Sequence, residues 1–329
     1  MKRLPLLLPK LTIALILVSV SARLSFAEDL GGSVLRDYPV SLTIPEGRFE
    51  VSLDYLMANS TTDRLGLPSD NASGAGDLQG VRLLADYGLQ RRTTLMSAWG
   101  YRDLEFGLDS LRILSADLSF KRNLILRGHG WVPKLALDVG IRFDQTAGGD
   151  EMLLDGDAND NWSGPLAIDD LQDFTPYARL TAGQIWGRLF PNLFLEYGHS
   201  VIDGRATRSV PDPANGFSDD LSRSEDYVKA GLSVWVKFPY KALLHLEYDY
   251  IKLFRDGSLD RVDDNQLIKA DFNYYLTPTV VFNIGGGWSQ HRFNGQIPFL
   301  YNEFSQPSFD HGHGYAKVGL TLLFGSLNN

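Results

Sequence analysis

The residues best suited to chemistry are charged, and they recur at every second position. Lys229 and Lys237, Glu247 and Asp249, and Lys269 and Asp271 each share one side of an alternating segment. The same phase, followed along the chain, collects Arg48, Arg82, Arg102, Lys121, Arg142, Arg179, Lys229, Lys237, Lys269 and Lys317 as bases. It collects Glu50, Asp54, Asp86, Asp117, Asp138, Asp144, Glu196, Glu247, Asp249 and Asp271 as acids. Ten oppose ten. Such a set neutralises itself as a network of ion pairs, or lines a narrow polar passage with opposed ladders of charge.

The six histidines offer little for catalysis. A serine hydrolase needs His and Ser on one face, and His199 and Ser200 are adjacent, so an extended chain sends them to opposite faces. Ser289 and His291 do share a face but have no Asn or Asp beside them to orient the ring. His245 with Glu247 reads as a hydrogen bond rather than an acid/base pair. His311 and His313 lack a third ligand, and the oxygen-rich run Asp155, Asp157, Asn159 has Asp160 and Leu166 where a calcium loop needs Gly and Glu. The expectation is therefore no catalytic residue, no metal site, no cofactor and no enzyme.

Charges at every second residue need β-strands to hold them. In 227–238 the residues Val228, Ala230, Leu232, Val234, Val236 and Phe238 alternate with Tyr227, Lys229, Ser233 and Lys237. Past Pro239 and Tyr240 the pattern restarts as Leu244, Leu246, Tyr248, Tyr250, then returns as Ile268, Ala270, Phe272, Tyr274 and Val280, Phe282, Ile284. Twelve such arms cover the chain from 47 to 329. The connections after the odd-numbered arms are long, those after most others short. The longest, 145–173, carries eight acidic residues and no Lys or Arg, which fits either a solvated loop or a constriction folded into a mouth.

Two belts of aromatics test the arms independently. Tyr55, Trp99, Phe143, Tyr197, Tyr250 and Trp288 fall toward the long-loop side of the apolar face, and Phe49, Tyr87, Phe120, Trp186, Phe238, Tyr274 and Phe324 toward the short-turn side. A soluble sandwich has no reason to sort its aromatics into two belts, whereas a bilayer has two interfaces. The apolar face is thus read as facing lipid, and the ionic face as lining a lumen.

The first residues carry Lys2, Arg3 and Lys10, an apolar run over 11–20 and Ser25-Phe26-Ala27, the pattern of a secretory signal peptide cut after Ala27. Residues 28–46 then read as a periplasmic lead-in. Loss of 1–27 takes the formal charge from −9 to −13, which excludes nucleic acid as a partner. There is no cysteine, hence no lipoprotein anchor and no disulfide framework.

On these arms, loops and belts the chain resembles the Gram-negative outer-membrane β-barrel superfamily from about Arg48 onward. The resemblance implies one closed, antiparallel, all-β transmembrane barrel of about twelve strands in the outer membrane, in contact with its lipid and lipopolysaccharide. It also implies that the closing arm, with Ala316, Val318, Leu320, Leu322 and Phe324 outward, is read by the barrel-assembly machinery at Phe324, although Gly325 to Asn329 extend past that residue. Twelve strands fall between barrels filled by side chains and those with open channels. The leading expectation is a narrow pore for passive passage of small hydrophilic solutes, lined by Arg82, Asp86, Arg102, Asp138, Arg142, Arg179, Glu196, Lys229, Glu247, Asp249, Lys269, Asp271 and Lys317. Gly140, Gly183, Gly198, Gly231, Gly285, Gly287 and Gly319 share the inward face and favour that reading by thinning the wall. The alternative is a non-conducting structural or surface-binding barrel with a salt-bridged lumen; a lipid hydrolase ranks third.

Overall fold

The computed structural model describes residues 43–58, 75–106, 109–125, 133–147, 152–154, 166–208, 218–239, 241–255, 263–293, 295–301 and 312–325. Its strands in chain order are β1 Phe49–Ala58, β2 Ala75–Gln90, β3 Thr93–Phe106, β4 Asp109–Ile125, β5 Lys134–Thr146, β6 Met152–Leu154 and β7 Leu166–Gly183. There follow β8 Leu189–Arg208, β9 Ser218–Asp220, β10 Arg223–Phe238, β11 Ala242–Phe254, β12 Asp264–Thr277, β13 Val280–Ser289 and β14 His313–Phe324. Twelve of them form a closed antiparallel ring in which each long strand pairs with the next in sequence, and β1 pairs with β14 from Phe49 opposite Phe324 to Met57 opposite Ala316. The three-residue strands β6 and β9 extend the wall beside β7 and β8. Closure gives each of the twelve long strands a partner on both sides, which an apolar solvent demands.

Alternation sorts the side chains by solvent. On β8, Leu193 is 62% exposed and Tyr197 53%, while their neighbours Glu196 and Ser200 are fully buried. Large apolar side chains exposed on every face of the ring require lipid around them. Of the residues expected in the two belts, Tyr55 and Trp99 from one and Phe49, Tyr87, Phe120 and Tyr274 from the other are all exposed on this surface. Among the described residues no helix is long and apolar enough to cross a membrane. The chain crosses with strands.

The strands run longer than the alternation alone suggests. Residues 166–173 and 201–208, read as loop, belong to β7 and β8. The colouring inverts above the outer belt: Ile202 and Ala206 point inward and are buried, and Asp203 and Arg205 point outward and are exposed. A strand leaving the bilayer keeps its period but exchanges the solvents of its two faces. At the other end β7 stops at Gly183, short of Trp186. Trp186 sits in the β7–β8 turn, bonded to Leu189 through backbone contacts of 2.8 and 3.0 Å, with Gly187 at φ +65° supplying the left-handed step.

The signal segment, residues 28–42 of the lead-in, the oxygen-rich run 155–160, His129 and His311 lie outside the described residues.

Candidate functional site in the barrel lumen

The ionic residues named as pore-lining face inward, and most of them fall into two neighbouring groups. Arg142 is the hub of the first: its guanidinium reaches Asp117 at 3.1 Å, Glu196 at 2.9 Å and the Tyr227 hydroxyl at 3.0 Å, and lies 4.2 Å over the Tyr177 ring. Glu196 also accepts from Arg179 Nε at 2.6 Å and from Tyr227 at 2.7 Å. One carboxylate with no exposed surface thus joins two guanidiniums and a phenol. A second group holds Lys269 to Glu247 at 2.6 Å and to Asp249 at 2.8 Å, with Lys229 at 3.1 Å from Asp249. Lys317 pairs with Asp271 at 2.8 Å, and His245 lies 3.6 Å from Glu247 and 3.7 Å from Asp271.

For Arg82, Asp86, Arg102 and Asp138 the pairing is looser. Arg102 donates to Ser115 at 3.2 Å and stands 4.0 Å from Asp144. Arg82 lies opposite Asp54, Asp86 opposite Glu50, and Asp138 between Lys121 and Arg179 in the strand register.

The inward glycines do not widen a channel. Each of six faces a side chain directly across the ladder: Gly140 faces Tyr177, Gly198 Tyr227, Gly231 Phe194, Gly287 Tyr315, Gly285 Asp271 and Gly319 Asp54. A methyl group added to any of them would collide with that partner. The missing Cβ lets the ring or carboxylate lie flat against the wall, so space gained at the glycine is occupied by its neighbour. Of the lumenal aromatics, Tyr227 was placed on the polar face by the sequence, while Tyr177, Phe194 and Trp235 were not; their mark is an aromatic in the polar phase.

Above the ionic layer the interior turns apolar. Phe293, Ile297, Phe299, Leu300 and Tyr301 fold into the outer mouth and are buried to 6% or less, in one cluster with Ala58, Leu78, Leu104, Ile113, Ile168, Ile202 and their neighbours on β1 to β4, β7 and β8. Polar contacts fasten the segment from the remaining sides. Arg223 on β10 donates to the carbonyls of Pro298, at 3.1 Å, and of Tyr301. Asp173 on β7 accepts from the Phe299 amide at 3.4 Å, Asn265 on β12 exchanges bonds of 2.9 and 3.0 Å with the His291 backbone, and Arg255 lies 5.0 Å over the Tyr301 ring. Burial holds the Arg292 guanidinium below its ordinary value, at about 10, against the opposing pull of Asp77.

The opposite end is narrowed by the lead-in. The Ile44 amide donates to Thr94 at 2.8 Å, and Asn123 donates to the Thr43 hydroxyl at 2.6 Å, with both lead-in residues buried. Between this floor and the ionic layer lies a cavity of about 230 Å³ lined by Asp86, Lys121, Arg179, Asn192, Trp235, His245 and Glu247, among others.

The remaining candidates do not assemble. His199 points outward to Asp226, 2.8 Å away, while Ser200 points inward to Thr175. Ser289 is buried, and the His291 backbone is tied to Asn265.

A closed antiparallel ring of twelve strands with an ionic interior and an apolar, belted exterior defines an outer-membrane β-barrel. Solved structures of low sequence identity are similar to this chain. The translocator domain of the autotransporter NalP from Neisseria meningitidis is 12% identical, with a TM-score of 0.53 over 90% of this chain and 95% of that one. The β-domain of the Bordetella autotransporter BrkA is 10% identical, with a TM-score of 0.49 over 84% and 98%. The NanC porin is 9% identical, with a TM-score of 0.44 over 83% and 98%. No protein-family model and no curated sequence matches the chain.

Proposed function

We propose that the protein is an outer-membrane barrel closed to passive flow, the second of the three readings ranked from the sequence. The observation that carries it is Phe293 and the segment 295–301 seated in the outer mouth. Withdrawing Ile297, Phe299 and Leu300 would expose side chains whose burial is worth ~1.5–3 kcal/mol each, which keeps the open fraction below about one in a thousand. A freely open pore for small hydrophilic solutes is the weaker reading of this geometry.

The cavity favours one refinement. About 230 Å³ on the floor side of the ionic layer is lined by Asp86, Lys121, Arg179 and Glu247 together with Ile44, Met96, Phe194 and Trp235, so removal of the segment would open the outer mouth onto the ionic layer and the cavity beyond it. In this reading the lumen conducts only when the segment leaves. We assign no catalysis, metal or cofactor to the chain. Purified protein in a planar bilayer tests the proposal: wild type stays silent, and a chain with 295–301 replaced by a Gly/Ser linker gives discrete ion steps.

A further inference from the structure

The two ends of the barrel differ in charge. At the short-turn end, Arg91 and Arg92 in the β2–β3 turn, Arg122 near the end of β4, Arg188 in the β7–β8 turn and Lys241 in the β10–β11 turn are all exposed. Among the described residues none of the five forms an ion pair, and Glu46 is the only exposed acid at that end. At the long-loop end exposed Glu105, Asp170, Asp203 and Asp220 mix with Arg112 and Arg205. A basic rim on a chain of net charge −9 is a local feature, not a reflection of composition.

The rim sits at a defined depth. Arg122 continues the lipid-facing column of Leu118, Phe120 and Leu124, whose exposures are 49%, 44% and 47%. The Asn123 amide donates to the Arg92 carbonyl at 2.7 Å, which brings the β2–β3 turn alongside Arg122, and the Lys237 amide donates to the Arg188 carbonyl at 2.9 Å. Each cation therefore stands just past the inner aromatic belt. A guanidinium on a lipid-facing column cannot remain among acyl chains; its stem lies along them while its head reaches the interface. Four of the five are arginines, whose planar fork matches phosphate oxygens in pairs.

We propose that this rim is a binding site for anionic phospholipid headgroups of the leaflet on the short-turn side. The occupant follows from depth and charge: the lipid-facing column that needs acyl chains at Leu118 and Phe120 meets phosphates one step further on, at Arg122. A lysine or arginine at an anionic lipid surface favours association about fivefold. The site does not depend on whether the lumen is closed.

The test reconstitutes the full-length barrel in nanodiscs of phosphatidylethanolamine and phosphatidylglycerol and measures, by mass spectrometry after mild detergent washing, which lipid stays bound. Wild type retains phosphatidylglycerol in preference, less so at 1 M salt. The variant carrying Arg91→Gln, Arg92→Gln, Arg122→Gln, Arg188→Gln and Lys241→Gln loses the preference, whereas Arg112→Gln with Arg205→Gln keeps it. If the five-site variant does not fold, Arg122→Gln alone lowers retention about fivefold. Equal retention in wild type and the rim variants, no lipid preference in wild type, or a preference lost on mutating the outer rim would each overturn the proposal. So would a wild-type rim that ignores phosphatidylglycerol and instead holds an acidic periplasmic protein.

Discussion

The Tyr227 ring lies across Gly198, its direct partner on β8, and its hydroxyl donates to Glu196 at 2.7 Å. The glycine and the carboxylate act together: one makes room for the ring, the other fixes its end. The same pairing of an inward glycine with a ring recurs at Gly140 with Tyr177 and Gly231 with Phe194, so the lumen is filled from its own wall. A valine at position 198 has no space to enter. We expect Gly198→Val to destabilise the folded barrel by ~1–3 kcal/mol, read as a lower temperature for the shift between folded and unfolded gel bands. Tyr227→Ala in the same chain should recover part of the loss, because the two changes share one volume. Additive effects would mean the ring is not seated there.

Glu196 joins Arg142 and Arg179 with no exposed surface. Glu196→Gln leaves two partly buried guanidiniums without their shared counter-charge, and the loss should fall toward the lower end of the about 3–5 kcal/mol that removing one partner of a buried group costs. Urea unfolding from lipid vesicles should show this loss. A change under about 0.5 kcal/mol would place the pair among those that contribute nothing measurable.

Arg223 fastens the carbonyls of Pro298 and Tyr301. Arg223→Ala should raise amide hydrogen exchange across 295–301 while leaving β8 and β10 protected, since local opening follows the loss of local contacts. Unchanged exchange in that segment would show that the apolar cluster alone holds it.

The closing strand places Phe324 opposite Phe49 at the short-turn end, their ring centroids 6.2 Å apart. If the assembly machinery reads this aromatic, Phe324→Ala lowers the amount of heat-modifiable barrel in the outer membrane without changing synthesis. A signal peptide cut after Ala27 would make Glu28 the first residue of the mature chain, which N-terminal sequencing checks directly.

The transmembrane half was legible because one solvent boundary imposes one phase. Lipid outside and charge inside put Leu193, Leu195 and Tyr197 against Asn192, Glu196 and Gly198, and that contrast survives without any long-range information. The strand tops were not legible for the same reason. Once Ile202 turns inward and Asp203 outward the contrast reverses, and a reversed strand between Gly and Asp residues looks like a loop.

The lumen's charges were found but its filling was not. Alternation says which way Glu196 and Arg142 point, not that Tyr177 and Tyr227 lie down between them, because a glycine's role depends on the residue across the ladder. Register supplies that partner. The mouth segment left one local signal, the apolar run from Ile297 to Tyr301 in a region otherwise polar; neither its inward course nor its clasp by Arg223 and Asp173 follows from neighbours in sequence. Likewise Thr43 and Ile44, read as part of a periplasmic lead-in, enter the barrel through partners 80 and 50 residues away.

The account turns on whether the outer mouth is shut. Single-channel recording on the purified wild-type barrel, beside the chain with 295–301 replaced by a Gly/Ser linker, measures this directly. A silent wild type and stepwise conductance in the replaced chain are what a seated segment requires. Steady wild-type conductance, unchanged by the replacement, would mean that solutes pass the buried Phe299 and Tyr301, and the closed lumen described above would be wrong.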